Sequence, residues 1–220
     1  MKREMEKKEI QGLNIYIYTF GPLETNTYVF KESEEVCVVD PANSNKDEDK
    51  ELINKIRELG ELKYIVNTHG HFDHITGNRI LKNEFKNAKI VIHLFDSEKL
   101  NDSVKNGSKF FGEPIISPDC DIKVNNGDVI KIGEINLIVI HTPGHTKGSI
   151  SLKEEDFAFT GDTLFAGSVG IAKEYSNAFE EMIVSIKDNL LILPDKTIIL
   201  PGHGGTSTIG KERDLNPFLN

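Results

Sequence analysis

Three of the seven histidines in this 220-residue sequence fall within six positions, in Asn67-Thr68-His69-Gly70-His71-Phe72-Asp73-His74, with an aspartate among them. Imidazole and carboxylate are standard ligands for zinc and similar divalent ions. In extended backbone, residues two apart share a face, so His69 and His71 can converge on one point. Gly70 between them allows a tight path that lets Asp73 and His74 turn elsewhere. Three further segments carry ligand types where predicted strands end. They are Thr142-Pro143-Gly144-His145, Thr160-Gly161-Asp162 and Pro201-Gly202-His203-Gly204. Seven ligands exceed the roughly four that one zinc takes. If Asp162 is shared, the set makes about eight bonds, enough for two ions with a water or hydroxide between them.

That arrangement has a definite chemistry. Bridging two cations drops a water's pKa toward ~7, so hydroxide is available at neutral pH. It can attack an electrophilic carbonyl carbon while one metal polarises the carbonyl oxygen. Were the leaving group a thiol, of pKa about 8.5, it would depart as thiolate without a strong general acid. Asp73 and Asp162 are the candidate catalytic carboxylates, able to accept the water's proton in addition to ligating metal.

The elements that must hold these residues follow from pattern. Leu13–Phe20, Thr25–Lys31 and Glu35–Asp40 read as strands separated by Gly21-Pro22 and a Glu/Ser turn. Asn45 or Asp47 caps a helix carrying Leu52, Ile53, Ile56 and Leu59, and Gly60 ends it. Strand Lys63–Thr68 runs into the histidine cluster, followed by a helix over Thr76–Lys86, strand Lys89–Leu94 and a short helix near Asp96–Leu100. Asn101–Pro118, rich in Gly and Pro, reads as a long loop of the kind that often serves function. Strands are then expected at Ile122–Val124, Asp128–Ile132, Ile135–His141, Ser149–Leu152 and Phe157–Thr160. A helix on Phe179, Met182, Ile183, Ile186 and Leu190 and a strand at Thr197–Leu200 complete the pattern. Two halves, each of strands followed by helix, imply a layered α/β arrangement with the sheets inside, as one domain over residues 1–220.

The blocks Gly21-Pro22-Leu23 with Asn26, HGHFDHITGN, HTPGHTKGS, FTGDTLFAGS and LPGHGGTSTIGKERDLNPF resemble the metallo-β-lactamase superfamily, and within it the glyoxalase II-like hydroxyacylglutathione hydrolases. The resemblance spans about residues 13 to 218. It implies a four-layer αββα sandwich with the metals at one edge of the inner sheets. It further implies that His69, His71 and His145 hold the first metal, that Asp73, His74 and His203 hold the second, and that Asp162 spans both. The long enzymes of that group carry a C-terminal helical region that helps hold glutathione, and this sequence stops short of one. Many short relatives have an Arg where this chain has Ile171 after Gly170. Lys173-Glu174-Tyr175 is similar to a Lys-x-Tyr element that contacts glutathione, which makes Lys173 and Tyr175 candidate substrate-binding residues. The persulfide dioxygenases, mononuclear iron oxidoreductases, share HxHxDH followed by Ile-Thr-Gly, here Ile75-Thr76-Gly77. Pro-Gly-His-Gly at His203 is the hydrolase-like form. Lactone or other ester hydrolysis is an alternative within the same superfamily. A β-lactamase is disfavoured, since those enzymes are exported and do not use an aspartate such as Asp162 as a bridge.

Other motifs are set aside on their chemistry. Ala166-Gly167-Ser168-Val169-Gly170 lacks the first glycine of a nucleophile elbow. Gly205–Glu212 has Glu212 where a phosphate loop needs Ser or Thr for magnesium. His93 reads as structural, and His141 as a packed strand-end residue or a support for His145. Cys37, in Val36-Cys37-Val38-Val39, reads as a small buried residue. About 44% of residues are apolar once glycine is counted and tyrosine is not, near the ~45–50% of globular chains, so disorder and fibres are excluded. Net charge is 26 − 35 = −9, which disfavours nucleic acid and anionic membranes as partners. No secretory h-region or ~20-residue apolar span is visible. The expectation is a cytoplasmic monomer or small homo-oligomer acting on a small-molecule thioester with two divalent metal ions. Zinc is the first choice of metal, and iron or manganese also suits the ligands.

Overall fold

The computed structural model describes residues 5–220. The described residues begin with β1 (Glu6–Ile10), β2 (Leu13–Phe20), β3 (Thr25–Glu32), β4 (Glu35–Val39), α1 (Lys46–Leu59), β5 (Glu61–Val66), α2 (Phe72–Ile75), α3 (Asn78–Glu84) and β6 (Lys89–His93). After a 3₁₀ stretch at Leu94–Asn101 come β7 (Ile122–Val124), β8 (Val129–Ile132), β9 (Ile135–His141), β10 (Ile150–Lys153) and β11 (Phe157–Gly161). A small hairpin, β12 (Leu164–Phe165) with β13 (Ser168–Val169), leads to α4 (Ala178–Ser185), β14 (Ile198–Pro201), β15 (Ser207–Thr208) and α5 (Ile209–Leu215). Strands β1 to β7 form one sheet in sequence order, antiparallel through β4 and parallel from β4 to β7. The second sheet runs β15-β14-β11-β10-β9-β8, and its β11/β14 pair is parallel.

Side-chain alternation produces the layers. In β4, Cys37 and Val39 face inward to Tyr28, Phe30, Phe159 and Leu152, a core fed by both sheets. Val36 and Val38 point outward to Leu52 and Ile56 of α1 and Leu81 of α3. On the far side Met182 and Ile186 of the α4 region and Ile209 of α5 cover Ile199 of β14. The order is therefore αββα, as the resemblance implies. Asn45 caps α1, its side chain accepting from the Asp47 and Glu48 amides.

Several boundaries differ from the sequence reading. The first sheet gains β1, whose Lys/Glu-rich sequence carries no apolar pattern and pairs with β2 as an exposed edge strand. The helix expected over Thr76–Lys86 is shorter, α3 at Asn78–Glu84, and a separate single turn that the sequence reading did not expect, α2, precedes it and carries Asp73 and His74. The Gly205–Glu212 segment forms β15 and the start of α5. There Glu212 is buried and accepts hydrogen bonds from Ser207 Oγ, the Gly167 amide and Asn216 Nδ2. Ser168 lies in the β12–β13 hairpin, not at a strand-to-helix elbow.

Candidate metal centre

Strands β5, β9, β11 and β14 all deliver their C-terminal ends to the same edge of the sandwich. The two sheets are stitched there by the Ile150 amide donating to Thr68 O and by a bridge between Thr25 and His203. Beyond β5, the Thr68 amide and hydroxyl both donate to Asp40, at 2.7 and 2.6 Å, which sets the direction of His69. The single turn of α2 then swings Asp73 and His74 away from His71. Gly70 is required by space and not by backbone freedom, which corrects the sequence reading. A Cβ there lies 2.6 Å from Lys99 Cβ. Gly202 is similar: a Cβ would stand 2.1 Å from Asp162 Oδ1 and 2.7 Å from His74 Cε1.

All seven candidate ligands meet at this edge. Their ligand atoms form three groups, each within 4.8 Å: His69/His71/His145, Asp73/His74/His203 and His69/His74/Asp162. His145 Nε2 is 2.8 Å from His71 Nδ1 and 3.2 Å from His69 Nε2. His203 Nε2 is 3.4 Å from both Asp73 Oδ2 and Asp162 Oδ2. His74 Nε2 is 3.4 Å from Asp73 Oδ2 and from Asp162 Oδ1, and His145 Nε2 is 3.6 Å from Asp162 Oδ2. A tetrahedral ion with bonds of about 2.0–2.1 Å holds its ligands about 3.3–3.4 Å apart, and most of these spacings would fit the edges of such a polyhedron. Asp162 lies between the outer groups, 3.6 Å from His145 on one side and 3.4 Å from His74 and His203 on the other.

Hydrogen bonds assign the imidazole tautomers. His145 Nδ1 lies 2.7 Å from Ile171 O, His203 Nδ1 3.1 Å from Leu23 O, and His74 Nδ1 2.9 Å from Asp40 Oδ2. Each acceptor has no proton to give, so each Nδ1 is the donor and each Nε2 is the nitrogen left to face a cation at the centre. Thr68 Oγ1, whose proton goes to Asp40, accepts from His69 Nδ1 at 3.2 Å and fixes that ring the same way. His74 Nε2 and Asp162 Oδ1 are buried with no hydrogen-bond partner among the described residues. A buried lone pair facing a carboxylate is costly unless a positive charge lies between them, and a divalent cation supplies that charge.

The electrostatics agree. Burial alone would raise the carboxyls of Asp73 and Asp162. For Asp73, His74, His203 and Thr25 outweigh it and hold the carboxyl near about 2; for Asp162, His74, His203 and His145 hold it well below the usual range. Burial and the neighbouring histidines push His69 well down, and burial, His145 and Lys99 push His71 to about 3, so both rings are neutral. Burial opposes charge on His74 and His203 too. The carboxylates of Asp73, Asp162 and Asp40 nevertheless raise His74 well above its ordinary value, and Asp162 and Asp73 raise His203 to about 9. This half of the centre draws positive charge, which protons supply when a metal does not.

Two residues with no sequence signal hold the ligand turns. Asp40 joins Thr68 to His74. Asp96 is fully buried, with Oδ2 accepting from the Gly70 amide at 2.7 Å and Thr146 Oγ1 at 2.8 Å, and Oδ1 from the Gly148 amide at 2.9 Å. It ties the His69–His71 turn to the turn that follows His145. Each is an aspartate just past a strand, and its partners are 26 to 52 positions away. Of the other sequence candidates, Lys173 is exposed, and the Tyr175 hydroxyl donates to Glu181 at 2.6 Å. Tyr175 lines an open cleft of about 420 Å³ with Phe95, His141, Pro143, Lys147 and Glu181. Lys147 Nζ lies 5.4 Å from the Tyr175 ring centre. His141 stacks on His93 at 4.3 Å and bonds Lys147 O, away from the ligands. Ile171 is 71% exposed, and its carbonyl accepts from His145 Nδ1.

Residues 20–203 match the family described as the metallo-beta-lactamase superfamily. The chain is 34% identical to the hydroxyacylglutathione hydrolase GloC of Haemophilus influenzae, covering 94% of this chain and 99% of that protein. It is 28% identical to the mitochondrial persulfide dioxygenase ETHE1 of Mus musculus, over 99% of this chain and 81% of that one. Among solved structures, the BLEG-1 B3 metallo-beta-lactamase superposes with a TM-score of 0.84 at 33% identity, covering 93% and 98% of the two chains. TTHA1623, solved in a di-iron-bound form, gives a TM-score of 0.76 at 28% identity over 92% and 99%.

Proposed function

This chain belongs to the metallo-β-lactamase superfamily, and from that premise we propose that it is a dinuclear metal-dependent hydrolase cleaving thioesters of the hydroxyacylglutathione type. The observation that carries the reading is the position of Asp162, within 3.4–3.6 Å of His74, His145 and His203 and so shared between the two outer groups. His69, His71, His145 and Asp162 would hold one ion; Asp73, His74, His203 and Asp162 the other. Bound divalent ions supply Lewis-acid polarisation of the carbonyl and deprotonated water at neutral pH. In the overall reaction a water oxygen bonds to the acyl carbon and the C–S bond breaks. Its electron pair leaves with sulfur, giving a carboxylate, a thiol and one proton. In this reading Asp73 and Asp162, both ionised, accept that proton only in passing and hand it on to solvent. The Lys147/Tyr175 cleft beside His145 offers cationic and aromatic contacts suited to the thiol-bearing part. The identity to GloC supports this substrate class.

The test is a panel of thioesters including S-lactoylglutathione, with free thiol measured on protein loaded separately with zinc, iron and manganese, alongside metal analysis. About two metals per chain and oxygen-independent thiol release are expected. The second reading, a mononuclear iron persulfide dioxygenase, is favoured by Ile75-Thr76-Gly77 after the histidine cluster and by the identity to ETHE1. It requires about one iron per chain and oxygen uptake on glutathione persulfide. Cleavage of lactones or oxygen esters without thioester cleavage would keep the site and reassign the substrate.

A further inference from the structure

On the Asp73 side of the centre lies a cavity of about 200 Å³ that the thiol-bearing part of a substrate does not need. Phe20, Pro22, Leu23, Phe72, Phe111 and Ile115 give it a largely apolar wall. Asp73 and Thr25, whose hydroxyl donates to Asp73 Oδ2 at 2.8 Å, form its inner end. Leu23 also gives the carbonyl that orients His203. The cavity therefore opens onto the reacting centre and not onto a remote surface. Its outer wall is anchored. The Phe72 amide donates to Asn106 O, Asn106 Nδ2 donates to Lys99 O and Ile115 O, and the Phe72 and Phe111 rings lie 5.0 Å apart.

Its charge distinguishes it from the cleft on the other side. No Lys or Arg lines it among the described residues, and its two charged members are Asp73 and Glu113. An anionic group such as either carboxylate of a glutathione-like thiol would be repelled and would find no partner. An apolar cavity of roughly 150 Å³ already accommodates benzene, so this one has room for a ring or a branched chain. We propose that this cavity is the acyl subsite, and that it selects uncharged, apolar acyl groups larger than lactoyl, aromatic ones above all. The proposal rests on the thioester reading and extends it to the half of the substrate that the reading leaves open.

Two measurements test it. The first compares kcat/KM for S-mandeloylglutathione and S-lactoylglutathione, which share a thiol and a hydroxyl and differ by a ring. A preference of about 10-fold or more for the mandeloyl compound is expected, the scale on which apolar pockets discriminate. Phe111→Ala and, independently, Leu23→Ala should each reduce that ratio. Phe111 is 69% and Leu23 40% exposed, and neither belongs to the buried core, so neither replacement empties it. The second measurement is ¹⁹F NMR of fluorobenzene with the metal-loaded protein. Binding with contacts to Phe72 and Phe111, competed by S-mandeloylglutathione and weakened in Phe111→Ala, is expected. A ratio near one that both variants leave unchanged, or absence of fluorobenzene binding while thioesters are cleaved, overturns the acyl subsite alone. Fluorobenzene binding with no thioester cleaved under any metal overturns the thioester reading, and the acyl assignment with it.

Discussion

Around His69, His71 and His145 the candidate metal centre is built of imidazoles alone, and around Asp73, His74 and His203 it is built on carboxylates. The first group is pinned by backbone and hydroxyl partners: Thr68 for His69, Ile171 O for His145, and Asp96 beneath both turns. The second has Asp40 behind His74 and Asp73 and Asp162 in front. The flanks continue the contrast, with Lys147 and Tyr175 beside the first group and an apolar wall with Glu113 beside the second. The lesson is that ligand count alone does not describe such a centre. Its halves differ in charge, so they differ in what they demand of a cation and of a substrate.

The strongest way to break the comparison is to remove what the halves share. Asp162→Ala should lower thioester turnover by at least ~10³-fold, about 4 kcal/mol of barrier, and deplete metal from both halves by elemental analysis. If two ions remain, Asp162 is not a bridge. Asp40→Asn strikes the carboxylate-backed half by weakening the support of His74. Affinity for one ion should fall roughly 10–100-fold, visible in a chelator titration as a biphasic release. Equal loss of both ions would mean that the halves are not separately supported. Asp96→Asn strikes the imidazole half. It leaves at least one of the Gly70, Thr146 and Gly148 donors poorly paired in a buried place, costing about 1–3 kcal/mol, each kcal/mol worth roughly 2–4 °C in Tm for a chain of this size. Calorimetry should show that loss, with the tighter chelator phase unmoved. The smallest effect is expected from Lys147→Met in the exposed flank. It should raise KM for glutathione thioesters roughly two- to fivefold, the scale of exposed charge contacts, and leave kcat alone. A kcat effect would place Lys147 closer to the chemistry than the cleft suggests.

The parts of this protein that were legible in its residues share one property: their signal repeats or clusters locally. Strands Leu13–Phe20 and Ile135–His141 match their expected bounds to the residue, because alternating side chains on a pleated strand mark both faces. Helix α1 is bounded by a capping Asn45 and a terminal Gly60, both local devices. The two-residue strands β12, β13 and β15 were not legible, since two positions carry no period. Asp40 and Asp96 were missed for a different reason. Nothing adjacent to either marks it, and its function exists only when segments 26 to 52 positions away fold against it.

From the residues alone came the seven metal-binding candidates, the layered α/β class and the case for two ions, because ligand type and periodicity are chemical properties of short stretches. The tertiary structure decided which nitrogen of each histidine faces the centre, which aspartates brace the turns, why Gly70 and Gly202 must lack a side chain, and where an apolar pocket meets a carboxylate-rich half. Those are facts about distances between strand ends. They arise only when two sheets pack face to face and bring four separate turns to one edge.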